Sequence, residues 1–173
     1  MIKSAEIKDG VFLLDGEPTR FKTDAFACSC CGRVDVDERV IRALVNTEKV
    51  LQFELIINCS CRCVVHNAKV GGGAKSSHII LPEKPSFAID FERKDKSNKT
   101  IFYGALLGGF RRVGVYLSKH RAPDGSKQSY FHADVAVNPL YWYHDGNGYH
   151  YHTNADLCLH DYNKNVILKK EGT

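Results

Sequence analysis

Tyr130-Phe131-His132-Ala133-Asp134-Val135-Ala136-Val137 alternates residue by residue. Phe131, Ala133, Val135 and Val137 form an apolar face, and His132 and Asp134 stand on the other, the two-residue period of a half-buried β-strand. Side chains two apart on a strand share a face roughly 6.5–7 Å apart, so an imidazole and a carboxylate border one pocket. A carboxylate fixed beside an imidazole has few structural reasons to be there unless it is paired. Phe87-Ala88-Ile89-Asp90-Phe91 repeats the pattern, with Asp90 opposite Ile89 and Phe91. His78 follows Ser76-Ser77 in a third segment. Two imidazoles and one carboxylate from separate segments suit zinc and leave a coordination position open. That is the composition of a hydrolytic site, not of a closed structural one.

Working outward, Val50–Ile57 (V-L-Q-F-E-L-I-I) reads as a further strand. Glu6–Lys8 and Val11–Leu14 read as an N-terminal hairpin, with an Asp15-Gly16 turn following. Asp35 or Asp37 can cap a helix running to about Lys49, its apolar face made by Val36, Val40, Ile41, Leu44 and Val45. A second helix is expected from Thr100 to about Arg112, weakened at Gly108-Gly109. Val113–Leu117 reads as a strand and Ser118–Ser129 as a polar loop. In Tyr141–His152, Asp145-Gly146-Asn147-Gly148 signals a turn. A hairpin there would bring aromatic and His side chains to a cleft mouth. No spacing among His144, His150, His152 and His160 matches a metal set. The fold class expected is α+β, a central antiparallel sheet with flanking helices. Residues 1–173 are expected to form one domain, with 1–20 as a hairpin arm and 143–173 as a Tyr/His-rich extension.

With 173 residues, the chain can build one ordinary core. Its net charge of +4 is mild, and no Lys/Arg run with interleaved aromatics tracks a phosphate backbone, so nucleic acid is not an expected partner. No segment approaches a membrane span, and Met1–Lys8 has no apolar stretch of signal-peptide type. A monomer made in the cytoplasm is expected.

The seven cysteines include Cys28, Cys30 and Cys31 in one cluster and Cys59, Cys61 and Cys63 in another. C-x-C-C and C-x-C-x-C read as departures from the C-x-x-C knuckle. Buried thiols or one bridge between clusters are therefore favoured over a second metal.

The chain offers Cys59-Ser60-Cys61-Arg62-Cys63, His66-Asn67, Val70-Gly71-Gly72, Ser76-Ser77-His78, Ala88-Ile89-Asp90, Gly114-Val115-Tyr116 and His132-Ala133-Asp134, in that order. This order resembles the zinc D-Ala-D-Ala carboxypeptidase family. That family also holds phage L-alanyl-D-glutamate endolysins and vancomycin-resistance dipeptidases. The resemblance spans about Phe21 to Trp142. It implies a zinc D-peptidase fold and a peptidase acting on peptidoglycan stem peptides, with one zinc per chain held by His78, Asp90 and His132. Arg62 would steady the oxyanion, and Ser76 and Tyr116 would touch substrate. Without a signal, such an enzyme would reach the wall by phage-type release or within a virion.

Two departures stand out. Residues 79–89 exceed the family's usual spacing between the first His and the Asp, so Leu81–Ser86 reads as an insertion, which loop entropy tolerates. Relatives often carry an acid three residues before the last His, and here that residue is Ser129. Asp134 is the nearest acidic candidate for the general base, with His120 and Asp124 as rivals. The missing acid also leaves open a second reading, a non-catalytic cell-wall-binding or virion-structural module on the same fold.

Overall fold

The computed structural model describes residues 2–93, 95–121 and 127–167. The N-terminal segment is a three-stranded meander of β1 (Ile7–Lys8), β2 (Val11–Leu14) and β3 (Glu17–Lys22). The expected hairpin is present, and β3 adds a strand to it. Asp15 and Gly16 both take positive φ, 54° and 83°, the backbone that a tight two-residue hairpin turn requires.

The main sheet contains β4 (Ile56–Cys59), β5 (Ala88–Glu92), β6 (Arg112–Arg121), β7 (Lys127–Asp134), β8 (Leu140–His144) and β9 (Tyr149–His152), in the order β4-β5-β7-β6-β8-β9. The class is α+β, as expected, but the sheet is not purely antiparallel. β8 runs parallel to β6, because the chain leaves β7 at Asp134 and returns along the far side of β6. The C-terminal hairpin β8–β9 is therefore the edge of the main sheet.

Helices α1 (Glu38–Leu51), α3 (Asn98–Gly108) and α4 (Ala155–Tyr162) contribute to the core beneath this sheet, while α2 (Val64–Lys69) buries only Asn67. Val40, Ile41 and Leu44 of α1 and Ile101, Phe102 and Ala105 of α3 are buried with Ile89, Phe91, Phe131, Ala133, Val113 and Val115 of the strands. Phe91 and Phe131 stack at 5.8 Å. This apolar face fixes the register. A one-residue slip of β7 would turn Phe131 and Ala133 outward and drive His132 and Asp134 into the core.

Several boundaries moved. Of the two possible caps, Asp37 begins α1, its side chain accepting from the Arg39 amide, while Asp35 accepts the Ser4 hydroxyl. Val50 and Leu51 belong to α1, and the strand starts only at Ile56. Helical spacing from Leu44 through Thr47 to Leu51 carries α1 onward until Gln52 takes the left-handed conformation (φ 58°) and stops it. α3 starts earlier than expected, capped by Ser97, and ends at Gly108, leaving Arg112 to open β6. Of the segment expected as a loop from Ser118 to Ser129, residues 118–121 belong to β6 and 127–129 to β7, paired out to Arg121 and Lys127, and residues 122–126 lie outside the described residues. At the other end β7 stops at Asp134, so Val137 falls outside it, 75% exposed. Among the described residues no helix is long and apolar enough to cross a membrane.

One row crosses all six strands: Cys59, Asp90, His132, Gly114, Trp142 and Tyr151 are successive cross-strand partners. Gly114 lets the Trp142 indole lie against the β6 backbone. A Cβ there would sit 2.2 Å from indole Cε2. Gly114→Ala should therefore destabilise the fold by about 1–3 kcal/mol, the usual cost of overpacking. Guanidinium unfolding measures this, and an unchanged midpoint would show that Trp142 swings aside freely.

Candidate metal and peptidase site

Asp90 on β5 and His132 on β7 are directly paired across the ladder, and directly opposed antiparallel residues point to the same face. His78 lies in the loop before β5, held where Arg62 N–H donates to His78 O (2.8 Å) and Ile80 N–H donates to Arg62 O (2.9 Å). The three side chains meet. His78 Nε2 lies 3.1 Å from Asp90 Oδ1 and 3.0 Å from His132 Nδ1, and His132 Nδ1 lies 3.0 Å from Asp90 Oδ1.

The outer atom of each ligand-type group is engaged. His78 Nδ1 donates to the Ser60 carbonyl at 2.7 Å, leaving the Nε2 lone pair facing the junction. His132 Nε2 lies 3.4 Å from Asp134 Oδ2, leaving Nδ1 facing it. Asp90 Oδ2 accepts from Arg62 Nη2 at 3.0 Å, leaving Oδ1. Two nitrogen lone pairs and a carboxylate oxygen at this separation repel unless a proton or a metal cation lies between them. A tetrahedral zinc with ligands at 2.0–2.2 Å sets them about 3.3–3.5 Å apart, a few tenths wider and within reach of small side-chain rotations. The donor set therefore fits a metal, with each imidazole oriented by a carbonyl or carboxylate as ligand histidines usually are.

A proton can supply the same positive charge at this junction, and metal binding would displace it. Burial disfavours charge on His78, but the Asp90 carboxylate outweighs it and lifts the imidazole to about 10. Burial also favours a neutral Asp90, yet the two imidazoles hold its carboxyl well below the usual range.

These groups floor a cleft of about 630 Å³ that Arg62, Ser76, Tyr116, Tyr130, Trp142 and Tyr149 help to line. Ser76 accepts the His78 amide through its hydroxyl (3.3 Å), so it caps the turn as well as bordering the cleft. Tyr116 stacks on Tyr130 at 4.7 Å and accepts from Trp142 Nε1 at 2.8 Å, and burial raises its phenol. The β9 tyrosines, Tyr149 and Tyr151, reach the cleft, as a Tyr/His hairpin at its mouth would place them. Asp134 is fully buried. Its Oδ2 accepts the Ser77 hydroxyl (3.1 Å) and lies 3.5 Å from Arg112 Nε, and its Oδ1 accepts the Ala136 amide (3.0 Å). Burial raises this carboxyl, but the His132 contact and the amide keep it below its ordinary value.

Ser129 falls on the opposite face of β7 from His132. It hydrogen-bonds Tyr162 Oη (2.8 Å) and accepts from Asn98 Nδ2 (3.0 Å), so it belongs to the packing of α3 and α4. Asp124 and the side chain of His120 lie outside the described residues. Ser60, Ser77 and Arg112 have roles that the sequence did not suggest, because each acts through a long-range contact. Cys59 is also close: its sulfur and the ligand atoms of His78 and Asp90 lie within 4.8 Å of one another.

The family profile described as Peptidase M15 matches residues 19–121. The chain belongs to the Peptidase M15 family. The matched span holds Arg62, Ser76, His78, Asp90 and Tyr116. His132 and Asp134 lie past its end, and the β5–β7 pairing returns them to the same site. Comparison with curated proteins returned no match.

Proposed function

We propose that this Peptidase M15 member is a zinc peptidase of the D-peptidase fold that cleaves peptide bonds in peptidoglycan stems, with His78, Asp90 and His132 holding one zinc. The observation that carries this reading is the meeting of His78 Nε2, His132 Nδ1 and Asp90 Oδ1 within 3.1 Å at the floor of an open cleft. Zinc, when bound, supplies Lewis acidity toward a scissile carbonyl and toward water.

The chain's own groups do the rest. Arg62 places a permanent cation beside Asp90, where charge developing on a substrate oxygen would be stabilised. Tyr116, Trp142, Tyr149 and Tyr151 offer flat faces with polar tips to a stem peptide or its sugar. Ser76 holds the turn that aims His78.

Asp134 suits an orienting role. A carboxylate enclosed by an imidazole, a hydroxyl and an amide is already committed as an acceptor, and it fixes the tautomer of His132. Asp134→Asn should weaken zinc affinity by roughly 10–100-fold, with turnover restored by excess zinc. A variant that keeps its zinc but loses turnover at all zinc concentrations would instead make Asp134 the general base.

Digestion of purified peptidoglycan, with and without chelator, tests the whole reading. Chelator-sensitive release of new muropeptide termini, assigned by mass spectrometry, is expected. Wall binding without any cleavage would favour a non-catalytic module.

A further inference from the structure

A second sulfur-rich cluster lies outside the cleft. Cys28, Cys30, Cys31 and Cys63 bring four sulfur atoms within 4.8 Å of one another. Cys28 Sγ lies 3.8 Å from Cys30 Sγ, which lies 3.2 Å from Cys63 Sγ. Four thiolates at 2.3 Å around one tetrahedral ion stand about 3.8 Å apart.

The backbone around them is shaped for sulfur ligands. The Cys63 amide donates to Cys28 Sγ and the His66 amide donates to Cys63 Sγ, both at 3.3 Å. Cys31 N–H and Gly32 N–H return to the Cys28 carbonyl at 3.3 and 2.8 Å, with Gly32 at φ 69°. Cys28-Ser29-Cys30-Cys31-Gly32 thus contains a C-x-x-C turn closed by a left-handed glycine, framed by Cys28 and Cys31, which the expectation from spacing overlooked.

We propose that Cys28, Cys30, Cys31 and Cys63 form a tetrathiolate site for a structural zinc ion, separate from the His78–Asp90–His132 centre. Binding displaces the thiol protons to solvent and leaves four Zn–S bonds, with no change of oxidation state. The ion ties the Cys28–Arg33 turn to the first residue of the α2 cap, next to Arg62, whose backbone in turn holds His78. Soft sulfur donors in this geometry select zinc over oxygen-seeking ions.

Cobalt(II), added to reduced, metal-free wild-type protein, is the spectroscopic probe. Intense thiolate-to-cobalt charge-transfer absorption is expected, kept in His78→Ala and in Cys59→Ser and lost in Cys63→Ser. Absorption lost in Cys59→Ser but kept in Cys63→Ser would move the sulfur ligand to the cleft and overturn the proposal. Should a variant fail to fold, the wild-type protein decides alone. Zinc should protect Cys28, Cys30, Cys31 and Cys63 from alkylation, as read by mass spectrometry of peptides. Alkylation unaffected by zinc, or a Cys30–Cys63 disulfide persisting in reductant, would overturn the proposal. None of these readouts depends on peptidase activity.

Discussion

His78→Ala is expected to fold, to lose about one equivalent of zinc per chain and to have no hydrolytic activity above background. His78 is 2% exposed, and its Nε2 is one corner of the donor triangle. Its removal leaves only His132 Nδ1 and Asp90 Oδ1, so the loss should exceed the roughly 10–100-fold that follows when an orienting partner of a ligand is removed. Stability falls on two counts. The Ser60 carbonyl loses the His78 donor, although the Ser86 hydroxyl still donates to it at 3.1 Å, and Asp90 loses an imidazole that stabilises its buried charge. A thermal melt of the variant separates metal loss from unfolding, and His132→Ala provides a second route to the same result. Elemental analysis together with muropeptide release checks the prediction. A variant that keeps its full metal and cleaves at the wild-type rate would remove His78 from the site.

The parts of the fold that depend on two-residue and helical periods were legible in the sequence. β5 and β7 alternate cleanly because one face packs on Phe91 and Phe131 while the other must hold Asp90 and His132. α1 announces itself through Val40, Ile41 and Leu44 after Asp37. What could not be seen was set by distant partners. Val50 and Leu51 look like the start of a strand, yet α1 packing claims them. The parallel β6–β8 pairing depends on where the chain returns after Asp134, and no local pattern encodes it. Within the site, the three metal-type residues could be named, since imidazole and carboxylate chemistry marks them. Ser60, Ser77 and Arg112 could not, because a carbonyl, a hydroxyl and a guanidinium are common everywhere and gain meaning only from whom they face. The sulfur cluster was half visible: the cysteines were counted, but the approach of Cys63 to the Cys28–Cys31 turn is a tertiary fact.

Arg62→Lys should reduce turnover by roughly 10²–10³-fold, the scale of a lost oxyanion donor, with zinc content unchanged. In the structure the guanidinium is half-buried and anchored from two sides. Nε donates to Cys59 Sγ at 3.2 Å and Nη2 donates to Asp90 Oδ2 at 3.0 Å. Burial opposes its charge, while the Cys59 sulfur and the Asp90 carboxylate favour it. Those anchors fix the plane of the fork, so the remaining N–H groups are held in place beside the cleft without reorganisation during reaction. Lysine keeps the charge but has one flexible ammonium, which cannot hold Asp90 and aim at a substrate oxygen together. The two contributions of Arg62 predict different kinetics. Loss of transition-state stabilisation lowers kcat and kcat/KM equally with KM unchanged, because the interaction forms only as the oxygen gains charge. Loss of support for Asp90 instead lowers metal affinity, and excess zinc would repair it. Steady-state kinetics over a zinc titration resolves them, and the expected result is a kcat defect that zinc does not rescue. Full rescue by zinc would confine Arg62 to bracing Asp90, and near-native turnover without added zinc would leave it no part in the chemistry.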